Sequence, residues 1–243
     1  MSRFRPFPLV VLLVVGGACA DAGEASDRAD AGPESRATTA TTDAGGGAAR
    51  RASTTSAPDT VPTTPPRQVS GSVAMVGDSL TVGAQDELAA RAAIHGFTLD
   101  INARDGRRTG EGAGEVARSA PGHDLVVIAL GTNDATAPDF TTEAANVLVD
   151  NALAQVDPAV TVLWVNVYRD ADSRAGDAAE TFNEALVAAV DRHPNLVPLD
   201  WDAWVDGHRD VVSADRIHLT DEGYQARAVW LAAAVADHLP AVG

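Results

Sequence analysis

From about residue 72 onwards, the chain alternates between short apolar runs and longer stretches with apolar residues at helical spacing. The apolar runs predict five strands at 73–76, 97–101, 125–130, 160–167 and 196–199, and the amphipathic stretches predict helices at 80–94, 144–156, 178–190 and 222–238. Runs that are apolar throughout suit strands buried on both faces. This alternation predicts an α/β domain in which helices cover both sides of a parallel sheet.

Polar clusters follow several of these predicted strands. They are Gly77-Asp78-Ser79 after the first strand, Arg104-Asp105-Gly106 after the second, Gly131-Thr132-Asn133-Asp134 after the third, and the segment from Asp215 to His218 between the fifth strand and the last helix. Sites in open parallel sheets lie beyond the carboxyl ends of the strands. We therefore expect all four clusters at one edge of the sheet.

Three of these residues have the chemistry of a nucleophile, its base and an orienting group. A serine becomes a good nucleophile when a histidine takes its proton, and the histidine is a better base when a carboxylate holds its ring. Ser79 is the predicted nucleophile, His218 the base and Asp215, three residues earlier, the orienting acid. The alternatives are local: Ser79 could cap the following helix, and the 215–222 segment could serve only to start the last helix.

Two further residues could stabilise an oxyanion together with the backbone N–H of Ser79. The side-chain amide of Asn133 can donate a hydrogen bond beside the end of a buried strand, and Gly106 could bring its backbone N–H close because it has no side chain. The alternative for both segments is an ordinary turn, which these residue types favour.

Taken together, these segments resemble the SGNH hydrolase superfamily, also called GDSL esterases and lipases, over about residues 72–239. Block one of that family matches Gly77-Asp78-Ser79-Leu80, block two Gly106, block three Gly131-Thr132-Asn133-Asp134 and block five Asp215-Arg216-Ile217-His218. The resemblance implies a flavodoxin-like three-layer α/β/α sandwich whose five-stranded parallel sheet has the order 2-1-3-4-5. It also implies acyl transfer to Ser79 with a Ser79, Gly106 and Asn133 oxyanion hole, and no metal or organic cofactor.

Block two is more basic than the usual form of that block. Together with Asp200-Trp201, it looks like the SGNH domains appended to bacterial cell-surface acyltransferases. Acyl transfer to a glycan is therefore an alternative to hydrolysis. Arg107 and Arg108 are interpreted as solvated surface arginines, with contact to an anionic or sugar substrate as the alternative.

The N-terminal part of the chain predicts export. Residues 1–20 combine a basic start, an apolar run and small residues, which is typical of a signal peptide. Cys19, the only cysteine, either is lost with the signal or becomes the lipidated N-terminus of a membrane lipoprotein. Residues 21–70 are rich in Ala, Thr, Ser, Gly and Pro and predict a disordered linker before a domain at 71–243.

Composition restricts the partners and the chemistry. The formal net charge of −16 disfavours nucleic acid and anionic membranes, which leaves lipidated Cys19 as the predicted means of membrane attachment. All 18 basic residues are arginine, which excludes Schiff-base and Ser-Lys mechanisms. The prediction is an exported, monomeric serine esterase that acts on small acyl or acetyl esters, including polysaccharide esters.

Three other classes of protein are alternatives to this interpretation. An α/β-hydrolase would need a Gly-x-Ser-x-Gly elbow, which the sequence lacks. A metal-dependent phosphoesterase could use Asp78, Asn133, Asp215 and His218 as ligands, but it would leave Ser79 without a role. A glycan-binding module without activity would have no need of an acid that orients a base.

Overall fold

The computed structural model describes residues 66–136, 139–170 and 174–242. The predicted signal peptide, Cys19 and nearly all of the predicted linker lie outside the described residues. Within the described segments, no helix is both long and apolar enough to cross a membrane.

Five parallel strands form one sheet. They are β1 (Ser72–Gly77), β2 (Thr98–Ala103), β3 (Leu125–Ala129), β4 (Thr161–Val165) and β5 (Leu196–Leu199). Their order is β2-β1-β3-β4-β5, and all four strand pairs are parallel. The predicted α/β class and strand order are therefore confirmed. The chain adds β2 on one side of β1 and the later strands on the other. The carboxyl end of β1 therefore lies at the topological switch point, where open sheets of this kind bind ligands.

Six α-helices connect or follow the strands in the described part of the chain. They are α1 (Ser79–His95), α2 (Thr109–Ser119), α3 (Thr142–Leu153), α4 (Arg174–Ala189), α5 (Trp201–Asp206) and α6 (Asp221–Asp237). The sequence patterns predicted α1, α3, α4 and α6 but missed the other two. Helix α2 contains three glycines and only one large apolar residue, Val116, so it has almost no apolar stripe. Helix α5 is only six residues long.

The side chains of the central strands alternate between two cores, one on each face of the sheet. Val127 of β3 joins a cluster with Leu88 of α1 and Leu231 of α6. Its neighbour Ile128 joins the other cluster, which includes Phe182 of α4. Burial on both faces explains why these strands are apolar at every position, and it holds their carboxyl ends in a fixed arrangement.

The folded domain begins a few residues before the predicted boundary at 71. Val69 is buried and forms an antiparallel bridge with Ala241, and the backbone N–H of Ser70 donates to the carbonyl of Pro240. The sequence did not predict this contact, because Val69 is a single apolar residue among polar neighbours and forms no periodic pattern. The end of the predicted linker is therefore part of the domain.

Candidate active site

Ser79 lies at the N-terminus of α1, directly after β1. The preceding residue, Asp78, is the N-cap, and its Oδ1 accepts a hydrogen bond from the backbone N–H of Leu80 at 3.0 Å. Asp78 is buried, and this burial raises the pKa of its carboxyl. Because Asp78 caps the helix, the Ser79 hydroxyl is not used for capping, and it faces the site.

The loop before α6 brings His218 to this serine. His218 Nε2 lies 3.0 Å from Ser79 Oγ, and His218 Nδ1 lies 2.6 Å from Asp215 Oδ2. Ser79 and His218 are 139 residues apart in sequence, so only the tertiary fold brings them together. The capping alternative for this loop is also accounted for, because Thr220 caps α6 by accepting from the N–H of Gly223.

Asp215 is fixed by hydrogen bonds on both carboxylate oxygens. Its Oδ1 accepts from Ser213 Oγ at 2.7 Å and from the backbone N–H groups of Ile217 and His218 at 3.0 and 2.9 Å. The bond to His218, followed by these others, holds the pKa of Asp215 well below its usual range. The carboxylate therefore stays ionised at all pH values at which esterases are ordinarily assayed.

Backbone conformation and an ion pair also hold this loop. Arg216 has a φ of 61°, in the left-handed region that residues other than glycine seldom adopt. Its guanidinium forms an ion pair with Asp170 at 3.1 Å. The pair connects the loop that carries Asp215 and His218 to the segment after β4.

The two other predicted oxyanion donors lie at the same edge of the sheet. Gly106 has a φ of 68° in a turn closed by the bond from the N–H of Arg107 to the carbonyl of Arg104, at 3.3 Å. This conformation favours glycine. The side-chain amide of Asn133 donates to the carbonyl of Arg107 at 3.1 Å. An amide has two N–H donors, so this contact fixes the amide and leaves its second N–H for a ligand.

One of the two block-two arginines differs from its interpretation as a solvated residue. Arg108 is exposed as expected, but Arg107 is buried, with 5% of its surface exposed, and its guanidinium bonds to backbone and side-chain oxygens inside the domain. The surface interpretation of Arg107 is therefore wrong. An arginine surrounded by Gly, Asp and Arg gives no sequence signal of burial, because its oxygen partners come from other segments.

The loop after β3 is fixed by two polar contacts. Asp134 is buried and accepts hydrogen bonds from the backbone N–H and hydroxyl of Thr109, at 2.8 and 2.7 Å, at the start of α2. Arg169, also buried, donates from Nη2 to the carbonyl of Thr132 at 2.5 Å. These contacts hold the backbone on both sides of Asn133.

The predicted catalytic and oxyanion residues line one cavity of about 580 Å³, except for Asp215. Asp215 lies on the other side of the His218 ring, against Nδ1. The lining of the cavity comprises Ser79, Val82, Gly83, Asp105, Gly106, Asn133, Thr136, Arg169, Ile217, His218 and Tyr224. Sequence reasoning missed Arg169 and Tyr224. Arg169 could have been found as the arginine that follows the fourth strand at the functional edge, whereas Tyr224 lies within a helical pattern and gave no signal.

The other histidines and the proposed metal ligands have contacts that concern two alternatives: a different histidine as the base, and a metal-dependent phosphoesterase site. Among the described residues, the remaining five histidines bond to backbone carbonyls or to Asp100 and Asp150, and none lines the cavity that contains Ser79. No group of three or more His, Cys, Asp or Glu side chains in these segments has the arrangement of a metal site. Of the four residues named for a phosphoesterase site, Asp78 caps a helix through Oδ1 and Asp215 binds His218.

A second cavity, of about 620 Å³, lies beside the first between α4 and α5, and its lining also includes Arg169. Asp202 lines this cavity, and its pKa is raised to about 6, first by burial and then by the charges of Asp206 and Asp200. The ionised form of Asp202 is therefore less stable in the folded protein than in the unfolded chain.

Replacement of Asp202 by Asn should stabilise the protein at neutral pH and leave it unchanged at pH 4. The folded-state pKa lies above the unfolded one, so the destabilisation is absent at low pH, develops as the pH rises from the unfolded pKa to about 6, and is complete above it. Allowing for solvent screening, we expect a gain of about 1–2 kcal/mol at pH 8, measured by thermal or urea unfolding. The exposed variant Asp86→Asn serves as the control. An equal gain from Asp202→Asn at pH 4 and pH 8 would contradict this assignment.

Comparison with known proteins gives the same family as the site residues. Residues 75–226, well over half of the chain, match the GDSL-like lipase/acylhydrolase family. No match was found among curated protein sequences.

Similar solved structures include enzymes that act on acyl or acetyl groups. The catalytic domain of peptidoglycan O-acetyltransferase A from Streptococcus pneumoniae matches with a TM-score of 0.57 and 17% identity, covering 71% of this chain and 98% of that one. A lipase/acylhydrolase from Enterococcus faecalis gives 0.58 and 18%, with coverage of 71% and 98%. An acetyl xylan esterase from Geobacillus stearothermophilus gives 0.57 and 13%, with coverage of 73% and 99%. The fold and the family match together establish that this chain belongs to the GDSL-like lipase/acylhydrolase family, the SGNH hydrolases.

Proposed function

We propose that the protein is a serine esterase that hydrolyses small acyl and acetyl esters. The observation that carries this proposal is the continuous set of hydrogen bonds from Asp215 through His218 to Ser79, with lengths of 2.6 and 3.0 Å, at a cavity large enough for a small ligand. This arrangement has the geometry required of a nucleophile, a base and an orienting acid.

The reaction follows from the protonation states that these contacts favour. Asp215 accepts the Nδ1–H of His218, which leaves Nε2 as the acceptor for the Ser79 proton. Ser79 Oγ then attacks the ester carbonyl, and protonated His218 returns the proton to the departing alcohol. Water, activated by the same imidazole, attacks the acyl-enzyme, and the acid is released as Ser79 regains its proton.

The oxyanion of each tetrahedral intermediate would be held by three donors. These are the backbone N–H groups of Ser79 and Gly106 and the second N–H of the Asn133 amide. Donors that are already fixed in place stabilise charge that develops only in the transition state, so removal of one commonly costs about 10²–10³ in kcat.

The cavity lining favours a small acyl group and a polar alcohol. Tyr224 packs over Gly83, where an added Cβ would lie 2.3 Å from the tyrosine ring, and this contact closes one wall. Asp105, Thr136 and Arg169 supply polar groups that suit a hydroxyl-rich alcohol such as a sugar. The acetyl xylan esterase and the peptidoglycan O-acetyltransferase among the similar folds act on esters of this kind, which supports acetylated glycans as substrates.

Replacement of Tyr224 by Ala should shift the acyl preference towards longer chains. Loss of the ring removes the wall over Gly83 and enlarges the space beside Ser79. We expect the ratio of kcat/KM for p-nitrophenyl butanoate to that for the acetate to rise by about tenfold, because one or two added methylenes in an apolar pocket are worth this much. Tyr224→Phe keeps the ring and should leave the ratio unchanged. An unchanged ratio in Tyr224→Ala would exclude Tyr224 as a wall of the acyl site.

A second candidate function is transfer of the acyl group to a sugar hydroxyl in place of water. It is favoured by the basic form of block two, centred on Gly106 and Arg107, which resembles that of cell-surface acyltransferases. The test is incubation with p-nitrophenyl acetate and a glycan oligosaccharide, followed by mass spectrometry of the sugar and measurement of free acetate. Acetate release unaffected by the sugar supports the esterase, and acetylated sugar as the main product supports the transferase. If neither free acetate nor acetylated sugar forms, and methanesulfonyl fluoride gives no adduct on Ser79, both the esterase and the transferase proposals are refuted.

We also propose that the protein is exported and held at the membrane through lipidated Cys19. The proposal rests on the signal-like residues 1–20 and on the polar segment that follows. The mass of the mature N-terminal peptide from a bacterial host tests it. Diacylated Cys19 supports the anchor, a start after Cys19 indicates a secreted protein, and an intact residue 1 contradicts export.

A further inference from the structure

Arg107 is a buried arginine that joins the carboxyl ends of two neighbouring strands. Its Nη1 donates to the carbonyl of Gly77, at the end of β1, at 3.1 Å, and to the carbonyl of Asn102, in β2, at 2.5 Å. Its Nη2 donates to the side-chain oxygen of Asn102 at 2.8 Å. The guanidinium therefore spans the edge of the sheet where β1 and β2 pair side by side.

Each of the three proposed oxyanion donors is connected to this one residue. Gly77, which Arg107 binds, precedes Ser79 by two positions on the same chain. Gly106 is the residue before Arg107, in the turn that the N–H of Arg107 closes. The carbonyl of Arg107 accepts from the side-chain amide of Asn133 and so orients it.

We propose that Arg107 is a positioning residue for the oxyanion hole, a role that rests on the proposed esterase function. It lies outside the described lining of the cavity and so acts through the donors and not on the substrate. A planar guanidinium holds its N–H donors in a fixed fork that spans several acceptors, whereas a lysine ammonium is a compact charge on a flexible stem and does not reproduce this geometry. The function of Arg107 is to keep three donors from three segments aimed at one point.

Burial of this charge has a local counterbalance. Asn102, which receives two of the guanidinium bonds, donates from its own amide to Glu115 of α2 at 2.9 Å. Burial lowers the pKa of the Arg107 guanidinium, and the charge of Glu115 opposes this shift. Asn102 thus connects Arg107 to an acidic side chain of α2.

The test is the variant Arg107→Lys, which keeps the charge but loses the fixed fork, with Arg108→Lys at the neighbouring exposed arginine as the matched control. All rates are expressed per active molecule after titration of Ser79 with a radiolabelled sulfonyl fluoride. With p-nitrophenyl acetate we expect kcat of Arg107→Lys to fall by about 30- to 100-fold with KM changed less than threefold, because oxyanion donors act in the transition state. Arg108→Lys should match the wild type.

A second readout separates positioning from a purely structural role. Methaneboronic acid forms a tetrahedral adduct on Ser79 whose charged oxygen needs the oxyanion donors, whereas the uncharged substrate depends on them mainly in the transition state. Arg107→Lys should weaken boronate inhibition in proportion to its loss of kcat and leave KM for p-nitrophenyl acetate within threefold. If Arg107 acts through Asn133, the effect of Arg107→Lys should also shrink by at least threefold in an Asn133→Ala background.

Several results would overturn this assignment. An unchanged kcat per active molecule, or a raised KM with kcat unchanged, would give Arg107 a structural or a substrate-binding role instead. Unchanged boronate inhibition in Arg107→Lys, with kcat reduced, would also contradict positioning. Failure of the esterase proposal itself is distinguishable, because the wild type would then show no hydrolysis that is lost in Ser79→Ala, whatever Arg107→Lys does.

Discussion

Replacement of Ser79 by Ala should reduce kcat for p-nitrophenyl acetate by about five to six orders of magnitude. The hydroxyl 3.0 Å from His218 Nε2 is the proposed source of the acyl-enzyme, and alanine can form no ester with the substrate. Because Asp78 and not Ser79 caps α1, the substitution removes no bond on which the start of the helix depends. We therefore expect the melting temperature to stay within about 3 °C of the wild type.

The measurement needs a control for contaminating esterases, since so large a loss is easily masked. Ser70→Ala, at an exposed serine outside the cavity, should be purified in parallel and should retain full activity. Methanesulfonyl fluoride should label the wild type and Ser70→Ala on the peptide that contains residue 79, and it should leave Ser79→Ala unlabelled. Retention of even one-hundredth of the wild-type rate by Ser79→Ala would remove this serine as the nucleophile.

Replacement of Asp215 by Asn should reduce kcat by about 10³- to 10⁴-fold with little change in KM. An amide can present its NH₂ to His218 Nδ1, which favours the tautomer whose Nε2 carries a proton and so cannot accept one from Ser79. The wild-type carboxylate also stabilises the imidazolium that forms during the reaction, and a neutral amide does not.

The acid limb of the pH profile tests the same assignment from another direction. Hydrogen bonds hold the pKa of Asp215 well below its usual range, so its protonation should not reduce activity above about pH 4.

Ser213→Ala, which removes one of the bonds to Asp215 Oδ1, should lower kcat by less than about tenfold. If Asp215→Asn loses no more activity than Ser213→Ala, the carboxylate only supports the loop.

The α/β class and the central candidate site residues followed from local features of the sequence, whereas the strand order was implied by the family resemblance. The apolar runs at 125–130 and 196–199 predicted buried parallel strands because period and burial are properties of neighbouring residues. Ser79 and Asn133 were identifiable because they come directly after such strands, and parallel strands end at one edge of the sheet. His218 was distinguished from the other histidines by Asp215, which is within the same turn.

What the tertiary structure alone decided concerns contacts between distant segments. Only the sheet order and the position of the loop before α6 bring Ser79 within 3.0 Å of a histidine 139 residues away. Only the pairing of β1 with β2 turns Arg107 from a residue in a polar loop into a buried connection, since two of its three acceptors are backbone carbonyls that have no sequence signature. Helix α2 was missed for a related reason: with three glycines it has little preference of its own, and it is stabilised by tertiary contacts such as that from Thr109 to Asp134. Local patterns specify which elements form, whereas the burial of polar groups depends on partners that the fold supplies.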